Sequence, residues 1–536
     1  MQYTNFGRLS KRTPQTEPIP GSNMVPNNAG GFSYSVDGHT RLMRFLILGS
    51  SSNTFYVSQR KLTKENLDII EKMLKNGNGR DVVTTILDVS KAGRAASNDP
   101  ALFALARCAA ADDIEVRRYA LAVMPQVART GTHLLHFVMY LKQFRGWSRG
   151  LRSSVASWFN DMPEKKLSYQ LVKYQSRDGY AMRDILRLAH PKAQTETYNH
   201  IYHWVVKGWE SIGEDEHPDE GLRIIWAFER AKHIHDDQEM AALIRHYKLP
   251  REAVPTQFLT SVKVWKALLD DMPMEAMLRN LATMTRIGLI KPLGAETKVI
   301  AERLRDAEMI KKSRLHPIKI LSALVTYVSG KSVRGDSTWT PLQPVADALN
   351  DAFYLSFGNV EPTGKRILLA IDTSASMHRS EVNGIQGMNL HVACGAMAMV
   401  IAKTEPQYHI IGVDTGVQKL PISPTQRLDG VVNILRQIGG GGTDLSLPMA
   451  YALRKKIVVD AFVILSDSES WAGRAHPVQL LKQYRKEVNK DARIVNVQMT
   501  STHVTNNAPD DKLALEACGF DTSCPDLISS FIRGEF

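Results

Sequence analysis

Residues 366–377 read RILLAIDTSASM. A run of apolar residues ends abruptly in Asp372, and Ser374 and Ser376 follow at alternate positions. The run is apolar throughout rather than alternating, which predicts a strand buried on both faces, as in a parallel sheet covered by helices. The downstream sequence keeps that grammar. MNLHVACGAMAMVIAK (388–403) reads as a helix, YHIIGV (408–413) as a strand, and 428–438 and 446–456 as helices; AFVILSD (461–467) and RIVNVQM (493–499) read as strands. Strands alternating with helices predict an α/β, doubly wound, Rossmann-like domain. Ligand sites in such sheets lie at the carboxyl ends of the strands, which is where Asp372, Ser374 and Ser376 fall.

Two further segments bring matching chemistry to that edge. GGGGTD (439–444) offers Thr443 in a glycine-rich turn, and ILSDSE (464–469) ends a buried strand in Asp467. Asp372, Ser374, Ser376, Thr443 and Asp467 supply oxygen ligands alone, which suits a hard divalent cation, Mg²⁺ before others. The bland alternative is that these residues cap helices and tie loops. Phosphoryl transfer by a nucleophilic aspartate is disfavoured, because the position of the usual second carboxylate is Ser374. The glycine run is no phosphate-binding P-loop, since no GK[ST] follows.

Before Pro362 the pattern is different. From about Thr63 to Gly330, short amphipathic segments are separated by capped turns, without a strict repeat motif. Asp99-Pro100, Asp113 and Thr132 read as helix starts. Val116, Tyr119, Ala120, Val123 and Val127 form one apolar stripe, and Trp147, Leu151, Val155, Trp158 and Phe159 another. Successive helices of this size predict a helical-repeat solenoid. Residues 1–30, rich in Pro, Asn, Gly and Ser, read as an irregular, flexible arm.

Charge separates the same two regions. The formal net charge is +12, yet from Glu361 onward there are 18 Lys+Arg and 18 Asp+Glu, so the excess lies entirely in residues 1–360. Between Arg129 and Lys192 there are 12 basic and 4 acidic residues, a field that favours a polyanion. A solvated face is the commoner fate of a charge run. Lys173 and Arg177 are spaced i, i+4, as on one helical face, with Gly179 as the helix stop. In the next helix Met182, Ile185, Leu186 and Ala189 make an apolar stripe, while Arg183, Arg187 and His190 recur on another face. Arg145, Arg149 and Arg152 form a third basic row. Guanidinium rows of this kind hold phosphates. A lone histidine such as His190 is more often a satisfied core residue, and Arg187 has an alternative partner in Asp184. HIHDD (233–237) resembles a metal cluster but has no further ligand segment, and reads as an exposed helix-turn.

The four cysteines give no disulfide or zinc pattern, the start MQYTNFGRLSKR has no apolar signal core, and no run reaches membrane-span length. A reducing cytoplasm is expected.

These stretches together resemble a known family. Asp372, Ser374, Ser376, Thr443 and Asp467 look like the metal-ion-dependent adhesion site of a von Willebrand factor A domain. Along with RLMRFLILGSSSNTFYVSQRKLTKEN (41–66), NDPALFALA (98–106), KYQSRDGY and RDILRLAH (173–190), VWKALLDDMP (264–273), LRNL (278–281), EPTGKRILLAIDTSASM (361–377), GGTDLSLPM (441–449) and CGFDT (518–522), they resemble the Ro autoantigen (TROVE-domain) ribonucleoprotein family. ESIGEDEHPDEG (210–221) carries no such resemblance and reads as an acidic surface loop.

The resemblance implies a ring of HEAT-like α-helical repeats, the TROVE domain (31–360), closed by the A domain (361–536). It implies a monomeric, non-enzymatic scaffold in noncoding-RNA quality control. Such a scaffold binds Y RNA on its outer surface and single-stranded 3′ ends of misfolded RNA in a basic central cavity, and bacterial members are associated with exoribonucleases such as polynucleotide phosphorylase. The family's Y RNA contacts fall on Lys173, Arg177 and His190. The alternative is a cytoplasmic A-domain protein whose metal site captures a carboxylate of a protein partner.

Overall fold

A computed structural model describes residues 12–49, 59–177, 179–209, 219–332, 335–358, 360–382 and 388–535. Residues 1–11 of the N-terminal arm, 50–58 of the 41–66 stretch, Asp178 and most of the acidic 210–221 segment lie outside them.

Helices run from Gly38–Leu48 to Gln343–Leu355. Many pack on the next but one in sequence: Gly79–Ala92 on Ile114–Val127, Asp99–Ala109 on Gly131–Phe144, and Ile114–Val127 on Arg149–Asn160. That is the stacking of helical repeats, in which each unit buries its apolar stripe against its neighbours. Val116, Ala120, Val123 and Val127 are buried as the spacing predicts. Asp113 caps its helix, accepting from Glu115 N–H at 2.8 Å. Two starts differ from expectation. Thr130, not Thr132, caps the helix Gly131–Phe144, and Asn98 precedes the helix that begins at Asp99.

The A domain is built on a six-stranded sheet. The strands among the described residues are β1 (Val25–Pro26), β2 (Phe32–Ser35), β3 (Ser176–Arg177), β4 (Tyr180–Ala181), β5 (Ile367–Asp372), β6 (Tyr408–Val413), β7 (Val417–Lys419), β8 (Ala461–Ser466), β9 (Arg493–Gln498), β10 (Val504–Thr505) and β11 (Ala514–Cys518). The sheet order is β11-β9-β8-β5-β6-β7, parallel except for the edge strand β7. Its central strand shows why the sequence run is unbroken. Leu368 and Ala370 face a core made with Leu445, Met449 and Tyr484, while Ile367, Leu369 and Ile371 face the opposite core. Both faces are covered, so both sets must be apolar.

That second core is continuous with the helical array. The A-domain turn after β11 is where the array closes. Gly519 packs against Ile47 of the first helix, and Asp521 pairs with Arg94 at 3.1 Å, early in the array. Phe520 packs on His316, Phe353 and Phe357, at the end of the array. Both ends of the array therefore meet on one turn of the A domain.

The N-terminal segment departs from the free-arm expectation over residues 12–30. Gln15 is fully buried in the A domain, donating to Asp444 (2.8 Å) and to Ala475 O (2.9 Å). Its amide oxygen accepts from Ser470 Oγ at 2.6 Å. Then β2 pairs antiparallel with both β1 and β10, joining the segment that leads into the first helix to the A domain. A composition rich in turn formers signals irregular backbone, but it does not exclude burial when side-chain amides satisfy that backbone.

The closure carries an acid-sensitive cap. His316 Nδ1 accepts from Ile318 N–H at 3.2 Å, so the ring is neutral, and burial holds its imidazole down at about 4 from the ordinary 6.5. The unfolded chain binds this proton near pH 6.5 and the folded chain resists it until about pH 4. The contribution is therefore complete above pH 6.5 and is lost as pH falls through that window. Wild type should lose on the order of 2 kcal/mol more than His316→Asn between neutral pH and about pH 4. Superimposable stability–pH curves for the two proteins would refute this.

Candidate functional site

The metal-ligand candidates converge at the carboxyl ends of β5 and β8. Asp372 is the last residue of β5 and Asp467 follows β8, and these strands are neighbours. Ser374 precedes the short helix Ala375–Arg379, which contains Ser376. Ser374 N–H donates to Asp372 Oδ1 at 2.9 Å, and the hydroxyls of Ser374 and Ser376 are 3.0 Å apart. The Ser376 hydroxyl acts on the Asp467 carboxyl, against the rise that burial imposes.

Thr443 is delivered by the glycine run. Gly439 has φ +77, and a Cβ there would lie 2.0 Å from Thr373 O, so the loop touches the Asp372 turn backbone to backbone. Gly440 N–H donates to Thr373 O at 2.8 Å, and Ala375 N–H to Gly441 O at 3.1 Å. From the other side Trp471 and Ala472 N–H groups both donate to Thr443 O at 3.0 Å.

All five residues are almost fully buried. Among the described residues Asp372 Oδ2 and Thr443 Oγ1 have no hydrogen-bond partner. Burial, reinforced by the neighbouring Asp467 charge, pushes the Asp372 carboxyl well above the usual range, and burial also raises Asp467. Two buried carboxylates that repel one another, two orphaned oxygens and a donor set of oxygens alone fit a hard divalent cation. The sequence reading missed Asp414 at the end of β6, whose charge also reaches Asp372. Its signal was a strand-end carboxylate at the same sheet edge.

The basic residues are arranged differently from the helical reading. Lys173 ends the helix Glu164–Lys173, whereas Arg177 lies in β3, which pairs with β4. The i, i+4 spacing therefore places them on no common helical face. Gly179, at φ +82, is in the turn between β3 and β4, not at a helix stop. Lys173 is half-buried, its ammonium 5.5 Å and 5.4 Å from the rings of Tyr169 and Tyr174.

The helix Met182–Ala189 buries Met182, Ile185, Leu186 and Ala189, and leaves Arg183, Arg187 and His190 exposed. His190 is thus no core histidine. It closes the helix in a left-handed conformation, φ 46. Arg187 reaches Val206 O at 3.5 Å. Arg149 and Arg152 lie on the helix Arg149–Asn160, while Arg145 precedes it in extended backbone; all three are exposed. Arg152 Nε donates to Ala189 O at 3.2 Å, which sets this helix beside His190. Lys142 lies 4.8 Å over the Tyr180 ring and ties the hairpin to the helix Gly131–Phe144. Six arginines and His190 therefore occupy neighbouring elements, with Lys173 seated apart between its tyrosines.

HIHDD is a turn that leads into the helix Asp237–Tyr247. Asp236 caps it, accepting from Gln238 and Glu239 N–H at 2.8 Å, and Asp237 accepts from Ser261 Oγ at 2.6 Å. Among the described residues no group of three or more His, Cys, Asp or Glu side chains is placed to hold a metal. The metal candidates above contribute two carboxylates and three hydroxyls. Among the described residues no helix is long and apolar enough to cross a membrane.

Comparison with known proteins follows these boundaries. Residues 25–328 match the TROVE domain and residues 366–532 the Ro60 vWA domain. The chain is 36% identical over 524 residues to the RNA-binding protein RO60 of Deinococcus radiodurans, covering 97% of each. It is 30% identical over 598 residues to the RNA-binding protein RO60 of Caenorhabditis elegans, covering 98% of this chain and 92% of that one. The crystal structure of the Deinococcus radiodurans Ro (RSR) protein matches with a TM-score of 0.71 at 35% identity, covering 93% of this chain and 100% of that one.

Proposed function

This chain belongs to the Ro60 family of TROVE–vWA proteins, and from that premise we propose that it is a noncoding-RNA-binding scaffold. It binds Y RNA on its outer basic surface and takes single-stranded 3′ ends of misfolded RNA into a basic central cavity. It works in RNA quality control beside an exoribonuclease such as polynucleotide phosphorylase, in the cytoplasm, as a monomer without catalysis of its own. The observation that carries this reading is the exposed cluster of Arg145, Arg149, Arg152, Arg177, Arg183, Arg187 and His190 on adjoining elements. Lys173 joins it as a contact from the edge. Phosphates are met by guanidinium forks, and the tyrosine-lined flank adds stacking faces.

The test is a hairpin RNA with a single-stranded 3′ tail titrated beside a blunt hairpin across a salt series. Tail-dependent affinity that falls steeply with salt is expected. Equal affinity for both RNAs would exclude the cavity role, and no binding at low salt would exclude the RNA reading.

The orphaned oxygens of Asp372 and Thr443 favour a second, compatible role. Asp372, Ser374, Ser376, Thr443 and Asp467 would hold Mg²⁺, which supplies an electrophilic position for a carboxylate of a protein partner. Mg²⁺ at a hundred times its dissociation constant should then stabilise the metal-free protein by about 2.7 kcal/mol. Asp372→Asn should abolish that response. In chelator the variant should be at least as stable as wild type, because one of two mutually repelling buried carboxylates is gone. An Mg²⁺ response that survives the substitution would remove Asp372 from the site.

A further inference from the structure

A cavity of about 960 Å³ opens at the seam where the two ends of the helical array meet the A domain. Its wall comes from the end of the helix Gly79–Ala92, from Ala307–Ser313 and the end of Gln343–Leu355, and from the end of the A-domain helix Leu390–Thr404. Its size is at the upper end of the range for small-molecule sites.

The wall has two characters. Tyr354, Phe357 and Val400 are part of an apolar side, and Lys91, Lys311, Arg314 and Lys403 are cationic. Among the described residues none of those four cations pairs with a carboxylate. Of the lining carboxylates, Asp351 is taken by Arg305 at 2.8 Å, which leaves Glu308 and Asp526 against these four cations. Lys91, Lys311 and Lys403 lie in last helical turns, where a cation offsets the negative helix end, and that alone would explain them.

What the helix ends do not explain is that all four cations line one cavity. Arg314 closes its helix in the left-handed conformation common at helix ends, φ 49. Its charge reaches Arg129, which is fixed from the other end of the array by Ser90 O at 3.0 Å and Ser90 Oγ at 2.9 Å. Burial and then the Arg314 charge lower the Arg129 guanidinium from its ordinary value. Like charges brought together across a seam are satisfied by an outside multivalent anion.

We propose that the seam cavity is a binding site for a nucleoside diphosphate or a small ligand of that chemistry. Its phosphoryl oxygens are met by cations drawn from Lys91, Lys311, Arg314 and Lys403, and its ring body lies against the Tyr354–Val400 side. The Lys403 ammonium already sits 4.1 Å over the Tyr354 ring, at the junction of the two halves. A bound anion would join the two ends of the array. The inference does not rest on the RNA reading, since none of these residues belongs to the proposed RNA surface.

The experiment titrates ADP, pyrophosphate, adenosine and a short oligouridylate into the full-length protein at low salt by calorimetry. Wild type is compared with Lys311→Glu/Arg314→Glu and, separately, Lys91→Glu; all three side chains are exposed, so the substitutions spare the fold. ADP is expected to bind saturably, pyrophosphate more weakly and adenosine not at all. The double variant should weaken ADP by about tenfold or more while its hairpin-RNA affinity stays unchanged. Absence of saturable ADP binding would overturn the proposal, as would ADP binding equally to wild type and the double variant. Binding of oligouridylate alone would overturn it too, by making the cavity part of an RNA path.

Discussion

Arg44→Ala should destabilise the protein by about 3–5 kcal/mol, the cost of leaving a buried ionic partner uncompensated. Arg44 is fully buried although it lies on the first helix of the array. Its guanidinium pairs with Glu516 of β11 and donates to Thr502 O at 2.7 Å and Val504 O at 2.8 Å. Arg41, one turn earlier, donates to Ser501 O and pairs with Glu65 at 3.2 Å. Truncating Arg44 leaves a carboxylate and two carbonyls facing a void. Chemical denaturation should show an earlier midpoint, and Arg44→Ala/Glu516→Leu should recover part of the loss. A double variant no better than the single would mean that the carbonyl contacts, not the ion pair, hold the seam.

The same contact shows where sequence reading stops. RLMRFLIL is an apolar stretch with two arginines, and nothing local in it marks where those arginines go. They are buried because the segment from Ser501 to β11, more than 450 residues away, brings carbonyls and a carboxylate to them. No local pattern encodes that meeting. Gln15 repeats the lesson: a single amide in a Pro- and Ser-rich segment becomes a buried tie because Asp444, Ser470, Gly473 and Ala475 surround it.

Strand type, by contrast, was legible. β5 and β8 are apolar almost throughout, a run with one stable home between two covered faces; with β6 and β9 they fall within a residue of their predicted bounds. The donors at that sheet edge followed from the strand ends, and the glycine run from the need for Gly439 to touch Thr373. The helix Pro477–Glu487 was missed although Pro477, Leu480, Leu481 and Tyr484 recur at i, i+3, i+4 and i+7, and strand β11 was missed because its mixed residues give no clean period.

The basic segment was half legible. Its charge excess is compositional and needs no structure, but its geometry turned on Gly179, where a helix-like spacing hides a turn between two short strands. A 3.6-residue period over five residues cannot be told from a hairpin, because two positions four apart also face one way on an extended strand. The longer stripe from Met182 to Ala189 left no such choice.

The triple substitution Arg177→Ala/Arg187→Ala/His190→Ala should weaken Y-type RNA by about a hundredfold or more at low salt, counting charge-assisted contacts at about 1.5 kcal/mol each. The slope of log affinity against log salt should become shallower by about 1.5, because two permanently charged phosphate contacts are lost. Lys173→Ala should lower affinity with a smaller change of slope, since its ammonium is already engaged by two rings. Arg152 provides the sharper test of the arrangement. It carries one charge but also holds Ala189 O, the carbonyl next to His190. Arg152→Ala should therefore cost more affinity than Arg149→Ala at an equal change of slope, the excess being His190 released from its place. If the two variants match in both affinity and slope, Arg152 acts as a charge alone, and the left-handed turn at His190 holds itself.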